Sequence, residues 1–168
     1  MLGGWRVSAV VQAVSGLPFT VTSTSATPGT TQTGDLVAPF QVTHNVNGAG
    51  TATWFNPASF AAPAKCTAYS AANPAACVLG NSGRNQFRGP AYVSDNVTLS
   101  KSFPVYRETN LEARFDAFNM TNTPAFALPT AAIGSNLGKI TSTLGSGVGN
   151  VNGVGGPRVL QASVKFTF

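Results

Sequence analysis

The chain ends Val159-Leu160-Gln161-Ala162-Ser163-Val164-Lys165-Phe166-Thr167-Phe168. Leu160, Ala162, Val164, Phe166 and Phe168 are apolar, and Gln161, Ser163, Lys165 and Thr167 between them are polar. Successive side chains of a β-strand point to opposite faces, so this period of two sets one face in an apolar medium and the other in a polar one. A strand of this length that closes the chain on an aromatic is unusual in a soluble domain. It suits a strand that crosses a bilayer within a barrel, which needs about 9–11 residues, lipid on one side and a wet lumen on the other.

Three further segments alternate in the same way. Gly4 to Ser15 puts Trp5, Val7, Ala9, Val11 and Ala13 on one face and Arg6, Ser8, Val10, Gln12 and Val14 on the other. Tyr92 to Phe103 sets Val93, Val97, Leu99 and Phe103 against Ser94, Asn96, Thr98, Ser100 and Ser102. Asn110 to Phe118 sets Leu111, Ala113, Phe115 and Ala117 against Glu112, Arg114 and Asp116, so every charge falls on one face. An Arg or Lys facing lipid at the membrane midplane costs roughly 2–4 kcal/mol, a cost that a wet interior removes. Glu112, Arg114 and Asp116 are therefore expected to face the lumen. Asp95 and Lys101 fall on the apolar parity of the second segment and fit poorly, except near the ends of a crossing, where the penalty drops to about 0–1 kcal/mol.

These patterns predict an all-β fold: an antiparallel transmembrane β-barrel fragment of about four long strands plus extensions, forming a curved open sheet. The strands are expected near 4–15, 92–103, 110–118 and 159–168. Connection lengths provide an independent check. Outer-membrane barrels join strands by short periplasmic turns and long extracellular loops. If Phe168 ends in the periplasm, the short connection 104–109 is a periplasmic turn and the long segments 16–91 and 119–158 are extracellular loops. All three connections agree with that topology. The segment Phe19 to Thr24 is expected to extend the barrel wall, with irregular loop beyond it.

Composition is compatible with this reading without deciding it. Only 9% of residues are charged, against roughly 25% in ordinary soluble proteins, yet the mean hydropathy is only +0.11. No run of 18 apolar residues provides a transmembrane helix. A secreted β-sandwich serving in binding or adhesion fits the same composition, with its Phe and Leu side chains facing each other across a dry core. The net charge of +5 is scattered singly, whereas a nucleic-acid site needs a clustered basic footprint, so no nucleic-acid partner is expected.

No enzymatic constellation stands out, and neither a cofactor nor a metal site is expected. His44, the one histidine, lacks the partners that nucleophilic catalysis requires. Glu112 and Asp116 share a strand face, as a glycosidase pair would, but Arg114 between them favours a charge ladder. The glycine runs Gly145 to Asn150 and Gly153 to Gly156 do not lie between a strand and a helix, as phosphate-binding loops do. Cys66 and Cys77 have too few companions for zinc. A disulfide closing a small loop in an oxidising compartment is expected, with two free thiols as the alternative. The amino terminus carries no signal peptide, so an exported chain is expected to continue upstream of Met1.

Several strings resemble TonB-dependent outer-membrane receptors, particularly the Oar-like subgroup. Ser15-Gly16-Leu17-Pro18-Phe19-Thr20 resembles a strand-to-loop motif of that family, and Trp54-Phe55-Asn56-Pro57-Ala58-Ser59-Phe60 resembles a loop motif. Gly80 to Pro90 resembles the segment leading into one of its last strands. Ala113 to Asn119, with Asn122, Pro124 and Phe126, resembles the penultimate strand and the loop after it. Leu160, Ala162, Val164, Phe166 and Phe168 resemble the C-terminal insertion signal of bacterial outer-membrane barrels. The strings occur in the family's order and cover nearly the whole chain.

The resemblance implies a bacterial outer-membrane location and uptake of an unidentified ligand. It implies as partners outer-membrane lipid and lipopolysaccharide, the barrel-assembly machinery, TonB, and the rest of the receptor with its plug and remaining strands. Beside the resemblance, residue chemistry gives turn roles to Gly16, Pro18, Gly83, Gly89 and Pro90, and local backbone contacts to Asn119 and Asn122. Arg84 and Arg88 would bridge loop carbonyls or lipopolysaccharide phosphates, or lie solvated. The plug and the TonB-engaging segment are absent, and Asp95 stands where the family carries an apolar residue. Four strands cannot close a barrel, so the chain is not expected to transport anything alone.

Overall fold

A computed structural model describes residues 3–24, 31–44, 53–63, 79–106, 109–144 and 156–168. Ten strands follow in order: β1 (Trp5–Val14), β2 (Pro18–Phe19), β3 (Thr22–Thr24), β4 (Thr31–Thr33), β5 (Asp35–Leu36), β6 (Phe60–Ala61), β7 (Phe87–Arg88), β8 (Tyr92–Tyr106), β9 (Thr109–Phe118) and β10 (Val159–Thr167). A 3-10 turn, Pro57–Ser59, precedes β6, and Asn56 caps it by accepting the Ala58 N–H at 3.0 Å. Among the described residues no helix is long and apolar enough to cross a membrane. The chain divides into two compact units, one of residues 1–15, 91–126 and 142–168, the other of 16–90 and 127–141.

The first unit is built on a four-stranded antiparallel sheet in the order β1-β8-β9-β10. Its register aligns the alternating patterns of all four strands. Val7, Leu99, Phe115 and Ala162 stand opposite one another, as do Ala9, Val97, Ala117 and Leu160. One residue over, Arg6, Ser100, Arg114 and Ser163 share a row, and Ser8, Thr98, Asp116 and Gln161 share the next. A slip of one residue in any pair would mix the faces, so the register and the patterns are mutually consistent. The result is one sheet with an apolar face and a polar face.

The apolar face is open. Val7 is 68% exposed, Val164 72% and Phe166 56%, and even Leu99 and Phe115 on the two inner strands are 38% and 43% exposed. A β-sandwich would bury these side chains against a second sheet, so the sandwich alternative fails. Strands β1 and β10 are the two edges of an unclosed sheet.

The connection expected over 104–109 is shorter than that. Strand β8 continues through Tyr106 and β9 begins at Thr109, with a register shift between Pro104 and Tyr106. Pro104 reads as a strand breaker because it lacks an N–H. Ser102, two residues earlier, donates its N–H to the Gly4 carbonyl at 3.0 Å, so the nitrogen of Pro104 points toward the same side. Strand β1 begins at Trp5, opposite Lys101, so Pro104 lies past the start of β1 and no ladder bond to that strand is lost.

The second unit corrects the expectation of irregular loops. Phe19 lies in β2, which pairs with β7, and Thr22–Thr24 is β3, which pairs with β4, while β5 pairs with β6. These are separate two-stranded sheets, so Phe19–Thr24 does not extend the four-stranded sheet as a fifth member. Phe19, Val21, Phe55, Phe60, Phe87 and Leu137 form a buried core, with Leu36, Phe40, Trp54, Ala131 and Ile133 packed against it. Phe40 lies 4.7 Å from Phe87 and 5.4 Å from Phe55 between ring centroids, and Phe60 lies 5.0 Å from Phe87 in an edge-on contact. Such spacings are favourable for aromatic pairs, and a fully buried Phe contributes roughly 1.5–3 kcal/mol.

The later loop joins the same core. Thr22 donates its N–H to the Ala131 carbonyl at 2.9 Å, and Ile133 donates to the Thr22 carbonyl at 2.8 Å. Trp54 N–H bonds the Gly138 carbonyl at 2.7 Å. Gly80 faces the Thr33 carbonyl so closely that a Cβ there would sit 1.9 Å from its oxygen. Only glycine fits.

Candidate functional site

The polar face of the four-stranded sheet carries the main charged constellation. Residues two apart on a strand share a face, which places Glu112, Arg114 and Asp116 of β9 side by side. The Arg114 Nε lies 2.9 Å from each Asp116 carboxylate oxygen, and its Nη2 lies 2.8 Å from Oδ1. From β8, the Thr98 hydroxyl donates to Asp116 Oδ1 at 2.6 Å. The Asp116 side chain is 9% exposed and that of Arg114 is 52% exposed. Asp116 is thus held as an acceptor by donors from two strands, and it holds the outer edge of the guanidinium toward solvent. Lys165 stands opposite Glu112 and Gln161 opposite Asp116 in the register.

Asp116 is engaged by Thr98 and Arg114, so Glu112 and Asp116 do not stand as a free carboxylate pair. Among the described residues no group of three or more His, Cys, Asp or Glu gathers as metal ligands would. His44 packs edge-on against Trp54, with ring centroids 5.0 Å apart.

A second cluster lies where β9 ends and β10 begins. Asn119 is 2% exposed and has a positive φ of 50°, a left-handed conformation that Asn adopts more readily than most residues. Its Nδ2 donates to the carbonyls of Thr123 at 3.1 Å and Gly156 at 2.8 Å, and its Oδ1 accepts the Thr123 N–H at 3.0 Å. Asn122, also at positive φ, accepts the Arg158 N–H at 3.0 Å. The contacts were expected to be local, but two of them reach across the whole second loop. The register explains this: Phe118 pairs with Val159, so the residues just past β9 lie beside those just before β10.

Asp95 belongs to the same end of the sheet. Its carboxylate accepts the Thr121 hydroxyl at 2.8 Å and the Thr121 N–H at 3.2 Å, and its carbonyl accepts the Met120 N–H at 3.0 Å. The misfit of an acid on the apolar parity is resolved by this capping role at the strand exit. Asn119→Ala would remove three side-chain hydrogen bonds and leave the buried Gly156 carbonyl short of a donor, at about 1–3 kcal/mol for an unsatisfied buried group. The expected outcome is faster hydrogen exchange at Thr123 and Arg158 than in the parent chain, with exchange in β1 unchanged.

The remaining sequence candidates fall into place as supports. Arg88 donates from Nη1 to the Gly16 carbonyl at 3.1 Å, and the Arg88 carbonyl accepts Trp54 Nε1–H at 3.1 Å. Arg88 therefore bridges loop carbonyls, while Arg84 lies exposed. Asn81 pairs with Leu36 and Asp35, and Gln86 accepts the Gly83 N–H at 2.7 Å. Leu160, Val164, Phe166 and Phe168 are all exposed on the apolar face or beyond its end, with the Phe166 and Phe168 rings 6.2 Å apart. Cys66, Cys77 and the glycine run from Gly145 to Gly155 lie outside the described residues. Sequence reading missed Thr98 as the partner of Asp116 and Thr121 as that of Asp95. The one available signal was the misplaced charge of Asp95.

A two-faced antiparallel sheet with its apolar side uncovered, long loops at one end and a tight connection at the other defines the wall of a membrane β-barrel. The chain belongs to the outer membrane beta barrel domain family, whose model matches residues 1–161. No curated protein and no solved structure matches the chain.

Proposed function

We propose that this chain forms the C-terminal strands of a TonB-dependent, Oar-like receptor in a bacterial outer membrane, where the intact receptor takes up a ligand past an energised plug. The reading rests on one observation. The strings that resemble the subgroup lie far apart in sequence yet supply one another's contacts. Phe19, Phe55, Phe60 and Phe87, one or more from each of three strings, share a core. Arg88 of the third string reaches Gly16 of the first, and Trp54 of the second reaches Arg88.

In this role the apolar face meets lipid and the polar face, with Glu112, Arg114 and Asp116, faces the lumen and plug. The loop unit contributes to the outward surface that meets ligand and lipopolysaccharide. Edge strands β1 and β10 pair with the remaining strands of the receptor, because unpaired backbone groups are not tolerated in lipid. The C-terminal residues up to Phe168 address the chain to the barrel-assembly machinery. The chain serves as wall and binding surface, with no catalytic step.

Translation of the genomic DNA upstream of the Met1 codon tests this. The expected result is an open frame that continues into further alternating strands and a plug. An in-frame stop codon with a ribosome-binding site immediately before Met1 would overturn the receptor reading.

A further inference from the structure

Lys101 sits on the lipid side of a barrel wall, and among the described residues no carboxylate pairs with it. Its row in the sheet is Trp5, Lys101, Ala113 and Val164, and the next row toward the tight connection contains Phe103, Leu111 and Phe166. Trp5, Phe103, Phe166 and Phe168 thus gather on the apolar face at one end of the strands. Aromatic side chains collect at the level where hydrocarbon gives way to headgroups. The tight connection marks this end as the periplasmic one, where the membrane leaflet is phospholipid.

The ammonium is held in place there. Lys101 Nζ lies 4.5 Å from the centre of the Trp5 ring and 5.0 Å from that of Phe103. Cation–π attraction to two rings keeps the charge on the apolar side. Among the described residues the ion pair Arg114–Asp116 lies on the opposite face. Asp95, the other ionisable group on this parity, is six residues up β8, about 20 Å away at strand rise, and is bound to Thr121. Beside the lysine, where β8 runs past the start of β1, a groove of about 460 Å³ is lined by Gly3, Gly4, Lys101, Ser102, Phe103 and Pro104.

We propose that Lys101, flanked by Trp5 and Phe103, binds the phosphate of an anionic phospholipid headgroup at the periplasmic interface. The occupant follows from charge: a cation fixed at headgroup depth, with no carboxylate paired to it among the described residues, is complementary to a lipid phosphate. The rings cover the acyl-chain side and the lysine meets the anion. This site rests on the outer-membrane orientation proposed above, and it assigns Lys101 a role that the barrel wall itself does not require.

Trp5 provides the probe, because the chain has two tryptophans and Trp54→Phe leaves Trp5 alone. The intact receptor carrying this chain, with Trp54 and the tryptophans outside the chain replaced by Phe, is reconstituted in phosphatidylcholine vesicles containing brominated phosphatidylglycerol or brominated phosphatidylcholine, and Trp5 quenching is measured. The expected result is preferential quenching by the anionic lipid by about fivefold, the ratio corresponding to roughly 1 kcal/mol for a lysine at an anionic surface. Lys101→Gln abolishes the preference, Lys101→Arg retains it, and Lys165→Gln on the opposite face leaves it unchanged. Equal quenching by both lipids, or a preference that survives Lys101→Gln, overturns the site while leaving the membrane placement intact. Absence of quenching by either lipid overturns both.

Discussion

Phe55→Ala is expected to destabilise the loop unit by about 3–5 kcal/mol, the range for truncating a buried aromatic. Phe55 is fully buried and its ring lies 5.7 Å from Phe19, 5.4 Å from Phe40 and 5.4 Å from Phe60. Removing it opens a cavity at the point where three chain segments meet. These segments are held otherwise by short two-stranded sheets, which are marginal on their own. Limited proteolysis of the intact receptor carrying the substitution is the measurement. Cleavage within 16–90 should accelerate by two orders of magnitude or more, since about 3 kcal/mol corresponds to more than a hundredfold in the open population. Val37→Ala, at a side chain 60% exposed, should stay near the parent rate. If Phe55→Ala also matches the parent, the aromatic residues do not form one cooperative core.

The second large effect concerns the two faces of the sheet. Phe115 lies mid-strand in β9 between Leu99 and Ala162 on the apolar face. Phe115→Arg is expected to cost roughly 2–4 kcal/mol, as a cation placed near the midplane of the lipid-facing wall does. Gln161→Arg adds the same charge on the other face, opposite Asp116, and is expected to cost little. Denaturant unfolding of the intact receptor from phospholipid vesicles separates the two. A large shift for Phe115→Arg beside a small one for Gln161→Arg supports the assignment of lipid to the apolar face. Equal shifts would mean that neither face meets lipid.

Both experiments probe features that differ in how visibly the chain encodes them. The faces of β1, β8, β9 and β10 are legible because period-two alternation is local: each residue's side is set by its neighbours in sequence, and Glu112, Arg114 and Asp116 stand together by parity alone. The boundary at Pro104 is misread because the penalty for a missing N–H depends on whether a neighbouring strand is present to receive it. Only the pairing of Ser102 with Gly4 reveals that Pro104 lies past the start of β1. Asp95 looks misplaced for the same kind of reason, since its partner Thr121 comes alongside only after β9 has paired with β8.

What the sequence by itself determined is therefore the two-faced wall: strand type, which side chains share a face, and the short and long connections between crossings. Tertiary structure decided the loop unit and the strand-exit cluster. The phenylalanines at 19, 40, 55, 60 and 87 have no shared period and are separated by long stretches of chain, so nothing local announces that they meet. Their convergence depends on β2 pairing with β7 and β5 with β6. The reach of Asn119 to Gly156 likewise depends on the β9–β10 register. Alternation is a property of adjacent residues, whereas a core is a property of contacts between distant ones, and only the folded chain brings those together.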